Sequence, residues 1–424
     1  MIPSELPTRR YAYFVVASLF AVSAFGQADR FLFGLMIEPI KAELGLSDTS
    51  MGLLAGFAFA VFYTVLGIPI ARWADRGTRR SIIALGLFFW SLMTISCGLA
   101  QNLWQMALAR VGVGVGEAAG APPGHSLLMD YFPPERRARV IGLHAMGGSL
   151  GLIAALLIGG WVAEHYGWRT AFLAAGLPGL ALALLIRLTV REPVRGAFDP
   201  PATRVEPASI REVFAFLLRL PSYWHLTLAG SLHSFAGIGA ASWNAVFLMR
   251  VHGFGIAEAG ATLALLNASF SMVAIGISGF IADALGRRDV RWYQWLPALG
   301  GILHVPPALA FLLYPDAAVA IWFLPVAAFF GGFWAGPSIT MAVSLAKPQM
   351  RATASALLLL VMNLIGLGFG PSAVGIMNDA LAPRFGDEAV RYSLLLIGVT
   401  SLWGCAHNWV AARHLRRDLD AKAA

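Results

Sequence analysis

Charge is what this sequence has least of. Of 424 residues, 13% are Asp, Glu, Lys or Arg, against about a quarter in a soluble domain. So few charges cannot clothe a water-facing surface. Lysine is nearly absent: Lys41, Lys347 and Lys422 follow Ile, Ala and Ala. No Gly-x-x-x-x-Gly-Lys-Ser/Thr loop exists, which excludes an ATP-driven pump built on that motif. The two cysteines, Cys97 and Cys405, both fall inside apolar runs. They read as small core residues and exclude a disulfide scaffold. There is no Cys/His cluster with metal-ligand spacing, no Gly-x-Ser-x-Gly elbow and no His-Glu-x-x-His. An enzyme is unsupported, and no cofactor is expected.

What is present is apolar: 58% of the residues, with a mean hydropathy of +0.69. The apolar residues run in twelve stretches, at 11–37, 49–73, 81–100, 104–131, 138–164, 168–190, 222–250, 258–283, 292–313, 317–345, 351–378 and 390–413. A helix rising ~1.5 Å per residue needs about 20 residues to cross a ~30 Å hydrocarbon core. A β-barrel would alternate lipid-facing and lumen-facing side chains in ~10-residue strands; Ile82–Ala100 is continuously apolar. The fold class expected is therefore an all-α polytopic membrane protein of twelve transmembrane helices. The first stretch lacks an A-x-A-like cleavage site followed by a soluble chain, and reads as a retained helix.

The net charge of +8 belongs to membrane topology, not to nucleic acid. With a cytoplasmic N-terminus, 24 of the 31 basic residues fall at one face, as the positive-inside bias requires. The opposite face holds Lys41, Arg169, Arg250, Arg384 and Arg391. The expected location is a cell membrane (the inner membrane in a Gram-negative organism), multi-pass, with both termini cytoplasmic.

A polar stretch divides the chain into halves: 1–190 as an N-terminal six-helix bundle, 191–221 as a cytoplasmic linker, and 222–424 as a C-terminal six-helix bundle. The linker contains Arg195, Asp199, Pro200, Pro201, Arg204 and Pro207, then a short amphipathic piece at Ile210–Leu218. The halves repeat. Gly279-Phe-Ile-Ala-Asp283-Ala-Leu-Gly286-Arg287-Arg288 follows helix 8. Ala71-Arg-Trp-Ala-Asp75-Arg76-Gly77-Thr78-Arg79-Arg80 follows helix 2. The two acids stand 208 residues apart. Many secondary transporters are built from such repeats.

This loop resembles the signature of the major facilitator superfamily. The second copy fits fully; in the first, Ala71 replaces the leading glycine and Gly77 comes one place early. Arg110-Val-Gly112-Val-Gly114-Val-Gly116-Glu117 is similar to the superfamily's arginine-and-glycine motif. Asp29-Arg30, Ala74-Asp75-Arg76, the run ending in Glu117 and Pro133-Pro134-Glu135-Arg136-Arg137-Ala138 resemble the spinster family. The resemblance implies two six-helix bundles around a central cavity. It also implies a lipid-like substrate, such as a lysophospholipid or a sphingolipid phosphate. Asp75, Arg76, Arg79, Arg80, Asp283, Arg287 and Arg288 are then candidates for a cytoplasmic gate; the plainer reading is that these arginines only set topology.

Four formal charges fall inside spans: Asp29, Arg30, Arg110 and Glu117. Each costs at least ~2.5–3.5 kcal/mol at the bilayer centre, so such residues pair, face an interior and carry function. Asp29 and Arg110 come out at similar depth and are expected to form an ion pair. Glu117 lies two turns beyond Arg110 and is the candidate proton carrier, with Asp29 in support. Arg30 is expected to bind an anionic head or to compete for Glu117. A static polar network is the alternative. The C-terminal half offers Trp243 and Asn244 in helix 7 and Trp334 and Ser338 in helix 10, without a formal charge. That asymmetry suits an amphipathic solute, with its charged head on the first half. The expected function is a monomeric, alternating-access secondary transporter driven by a proton gradient. An uncoupled facilitator or flippase, or a carrier of a small organic anion or sugar-like solute, are the alternatives. Its partners are the substrate and membrane lipids. Pro122, Pro123, Pro306, Pro307 and Pro371 are expected kinks.

Overall fold

The structure is a computed structural model and describes residues 8–196, 198 and 209–423. Among the described residues every regular element is helical. Nine stretches of helix there are long and apolar enough to cross a bilayer. The last of them, Thr353–Asp420, turns at Gly386, whose φ of 56° suits glycine, and makes two passes. Two further helices complete the expected twelve. One spans 103–131 and is interrupted. The other, Pro221–His252, dilutes its apolar character with His225, His233 and Asn244. The outer surface is hydrocarbon-like: Phe280 is 79% exposed and Trp104 76%. Apolar groups so displayed call for lipid, not water.

The helices are interrupted in matching places in the two halves. The second helix breaks at Gly56, between Asp48–Ala55 and Phe57–Arg76; its counterpart, Ile256–Gly286, carries a π turn at Leu263–Ala268. The fourth helix breaks after Glu117, and its counterpart after Gly331. The fifth helix carries a π turn at Ala155–Gly159, and its counterpart one at Asn363–Phe369. Such irregularities free backbone groups and redirect side chains, and they collect at functional positions.

Two compact units result: Met1–Leu46 with Ala58–Thr203, and Ser47–Phe57 with Arg204–Ala424. In the first, glycines let backbones touch, as helix packing in lipid requires. A Cβ on Gly98 would stand 2.7 Å from the Arg169 carbonyl oxygen, and one on Gly147 or Gly151 would collide with the Phe20 or Ala24 carbonyl. In the second unit the short helix Asp48–Ala55 lies against Gly370–Phe385: a Cβ on Gly52 would be 2.6 Å from the Pro371 carbonyl oxygen. Its N-terminus is fixed twice. Asp379 accepts the amides of Asp48 (3.1 Å) and Thr49 (2.8 Å), and Arg250 grips the Asp48 carboxylate, Nη2 to Oδ1 at 2.7 Å. Acceptors and negative charge at a helix N-terminus are favoured by its unpaired amides and dipole.

Of the expected linker, Asp199, Pro200, Pro201, Arg204 and Pro207 lie outside the described residues. The amphipathic piece is a helix, Ile210–Leu217, begun by a capping box between Ser209 and Glu212. Cys97 and Cys405 are buried free thiols.

Candidate functional site

Two prolines build the site in the first unit. Pro122 and Pro123 lack an amide hydrogen and crowd the carbonyls four residues back, at Ala118 and Ala119. The helix Leu103–Glu117 therefore stops there, and a new one starts at Ala121. Glu117 becomes the last residue of the first piece and is buried. The preceding glycines bring two neighbours close: a Cβ on Gly114 would be 2.6 Å from the Phe59 carbonyl oxygen, and one on Gly116 2.7 Å from the Trp90 amide nitrogen.

Into this corner Arg30 extends from the first helix. Its Nη2 is 2.6 Å and its Nε 2.8 Å from Glu117 Oε2. Both contacts fall on one oxygen; Oε1 is buried without a hydrogen-bond partner. The Arg30 guanidinium also lies over the rings of Tyr63 and Phe59, at 4.7 and 4.8 Å. Arg110 lies over Phe33 at 4.5 Å and Phe59 at 5.2 Å. Aromatic faces stabilise a desolvated cation by about 2 kcal/mol or more. Asp29, one residue before Arg30, turns to the third helix and meets the Thr94 hydroxyl, which also bonds the Trp90 carbonyl at 2.9 Å. All four intramembrane charges are thus gathered in one cluster, with Asp29, Arg110 and Glu117 buried and Arg30 partly exposed. An ion pair in it joins Arg30 to Glu117, the two residues the sequence set in competition.

The second unit has a polar interior of its own. His233 Nε2 stands 2.9 Å from Asn408 Nδ2, and its ring stacks on Trp334. His304 Nδ1 is 2.8 Å from the Ala327 carbonyl oxygen. Cavities of about 50 and about 130 Å³ adjoin these groups. Trp334 lines the smaller and Asn244 the larger. Trp243 and Ser338 are fully buried instead. The Trp243 indole N–H donates to the Pro371 carbonyl at 2.9 Å, which makes it a packing residue.

The candidate gate residues separate into two kinds. Asp75, Arg76, Asp283, Arg287 and Arg288 are exposed at helix ends; Asp283 accepts the Tyr293 hydroxyl. Arg79 is only 1% exposed and sits inside the first unit. It bonds Asp130, Glu192 Oε1 at 2.7 Å, and the carbonyl and hydroxyl of Ser126, both at 3.0 Å. Arg80 donates its amide to Glu192 at 3.0 Å. Arg195 closes the same end, reaching the carbonyls of Ala74 and Gly77 at 2.6 Å.

The Major Facilitator Superfamily family model matches residues 19–371. The chain belongs to the major facilitator superfamily. A structure of a bacterial homolog of the human lysosomal transporter Spinster superposes with a TM-score of 0.88 at 32% identity, covering 97% of this chain and 99% of that one. An MFS-type efflux pump of Mycolicibacterium smegmatis is 34% identical over 98% of this chain and 96% of its own length. The cis,cis-muconate transport protein of Acinetobacter baylyi is 28% identical over 91% and 92%. This superfamily member is a membrane transporter and not an enzyme.

Sequence reasoning missed Thr94, Asp130, Glu192, His304, Asn267 and Asn408. Asp130 follows Met129 at the end of an apolar helix, and that placement is a signal. Glu192 lies in a stretch that reads as linker and gave none.

Proposed function

We propose that this transporter is proton-coupled and moves an amphipathic anionic or zwitterionic solute, with Glu117 as the protonated group and Arg30 as the cation that binds the solute's negative end. One observation carries the reading: partly exposed Arg30 pairs with buried Glu117, and Glu117 keeps Oε1 free of any partner. Breaking a buried ion pair by removing one member costs about 3–5 kcal/mol, because an uncompensated charge remains. Arg30 therefore releases Glu117 at low cost only when a proton neutralises the carboxylate and another anion takes its place. Charge balance then makes the proton and the negative group load and leave together. Asp29 and Arg110 keep the cluster neutral and oriented.

A lysolipid or sphingolipid phosphate is the substrate class supported by the likeness to the Spinster homolog. A small organic anion is the second reading, favoured by the polar cavities of the second unit and by the muconate transporter among the relatives. The positive-inside charge distribution supports a cell-membrane location with both termini cytoplasmic. Asp75, Asp283 and the exposed arginines at the same helix ends support the gate reading, acting as one monomer.

Proteoliposomes test the proposal. Uptake of lysophosphatidylglycerol and of cis,cis-muconate is followed with and without an imposed pH gradient. Acceleration of one of them by the gradient in the wild type, lost in Glu117→Gln, is the expected result. Gradient-driven transport that survives Glu117→Gln unchanged contradicts it.

A further inference from the structure

The internal repeat extends to the polar clusters. In the first unit, Asp29, Thr94 and Arg110 come from the first, third and fourth helices of their half. In the second unit, His233, His304 and Trp334 come from the corresponding three. The counterpart cluster differs in chemistry: none of the side chains lining its two cavities carries a formal charge.

We propose that this cluster is a second solute subsite, one that takes a neutral hydroxyl-bearing (polyol) group. The hydrogen bonds dictate what the site presents. The Ala327 carbonyl can only accept, so His304 Nδ1 carries the proton, and Nε2 is an acceptor in the neutral ring. The Asn408 amide donates to His233 Nε2, so the proton of that ring is on Nδ1. His233 Nδ1–H then offers a donor, and His304 Nε2 an acceptor, at the smaller cavity, which both rings line. A hydroxyl group, which both donates and accepts, satisfies the pair; a carboxylate, which only accepts, does not.

Three glycines make room for the imidazoles. A Cβ on Gly301 would stand 2.9 Å from His233 Cε1, one on Gly404 3.1 Å from His233 Nε2, and one on Gly331 3.0 Å from His304 Nδ1. The π turn Leu263–Ala268 adds Asn267 to the larger cavity, beside Asn244. The two cavities share His304 in their walls and measure about 50 and about 130 Å³. At about 10–15 Å³ of such space per water-sized group they hold several hydroxyls. Trp334, stacked on His233, gives a flat apolar face of the kind that suits the C–H side of a polyol.

The polyol could belong to a glycerol-type lipid headgroup or to a free sugar acid, and the test separates the two. The inference rests on the anion site proposed above, so it is read as a ratio within matched pairs. Equilibrium binding of the purified full chain in nanodiscs is measured for gluconate against hexanoate, and for lysophosphatidylglycerol against lysophosphatidylpropanol, which has the same charge and no headgroup hydroxyl. The hydroxylated member of at least one pair should bind about fivefold tighter, as one or two net hydrogen bonds allow. A preference in the first pair identifies a free sugar acid, and one in the second a lipid headgroup. The preference should fall toward one in His304→Leu and in Asn267→Ala, the second of which leaves both imidazoles in place. Equal binding within both pairs of the wild type overturns the subsite while leaving the anion site intact. Preference retained in both variants also overturns it. No binding by any probe overturns both.

Discussion

Arg30 Nη2 stands 2.6 Å from Glu117 Oε2 and joins the first helix to the broken end of the fourth. The two residues are 87 positions apart, and each alone would be an isolated charge in an apolar interior. Arg30→Ala should lower the thermal midpoint in detergent by the equivalent of about 3 kcal/mol, because Glu117 is left uncompensated. Arg30→Ala with Glu117→Gln should be more stable than Arg30→Ala alone. A double variant no better than the single would show that the pair does not hold the fold.

Gly114 sets the distance between the second and fourth helices. Its missing Cβ would fall 2.6 Å from the Phe59 carbonyl oxygen, and the Phe59 ring lies beside both Arg30 and Arg110. Gly114→Val should weaken or abolish solute binding at a given expression level more than Gly142→Val, whose added Cβ meets nothing within 4 Å. Binding of lysophosphatidylglycerol to the two variants makes the comparison.

Arg79 holds one end of the first unit together. Removing it strands Asp130, buried among Ser126 and the Gly196 amide. Arg79→Leu should cost about 3–5 kcal/mol, seen as a lower unfolding temperature. Arg79→Lys should recover only part of it, since an ammonium cannot serve Glu192, Asp130 and Ser126 with one planar fork. A pure gating role predicts an unchanged unfolding temperature instead.

The short helix Ile37–Leu44 that follows the first span carries a pH-dependent tie. Glu43 accepts from Arg169 Nη2 at 2.7 Å and Trp168 Nε1 at 2.7 Å. Chiefly the Arg169 hydrogen bonds, then that of Trp168, hold its carboxyl below the usual range. A depressed carboxyl contributes stability above its unfolded pKa of about 4.3 and loses it as pH falls through the folded value. The pair is solvent-exposed, so the effect is no more than about 1 kcal/mol. Glu43→Gln should unfold at a slightly lower temperature than wild type at pH 7, and the gap should narrow as pH falls below the usual carboxyl range. A constant gap across that range would contradict the assignment.

The apolar runs made the twelve spans readable, because a bilayer fixes both length and composition. The break beside Glu117 was visible as Pro122-Pro123. The contact of Asp29 with Thr94 was not. Adjacent helical residues point about 100° apart, so Asp29 and Arg30 serve different helices, and no sequence pattern fixes the rotation of one helix against another. The Arg79 network was hidden for a related reason: Glu192 gains its role only from where the chain leaves the sixth helix. Asn267 was hidden because a π turn shifts the face of a helix without a residue signature.

The central claim is that a proton and a negative group exchange places on the Arg30–Glu117 pair. It is tested most directly by following pH in a weakly buffered solution while the purified transporter binds lysophosphatidylglycerol. Wild type should take up about one proton per bound solute near neutral pH, and Glu117→Gln none. Binding that leaves the pH unchanged in wild type, or changes it equally in the variant, would contradict the account.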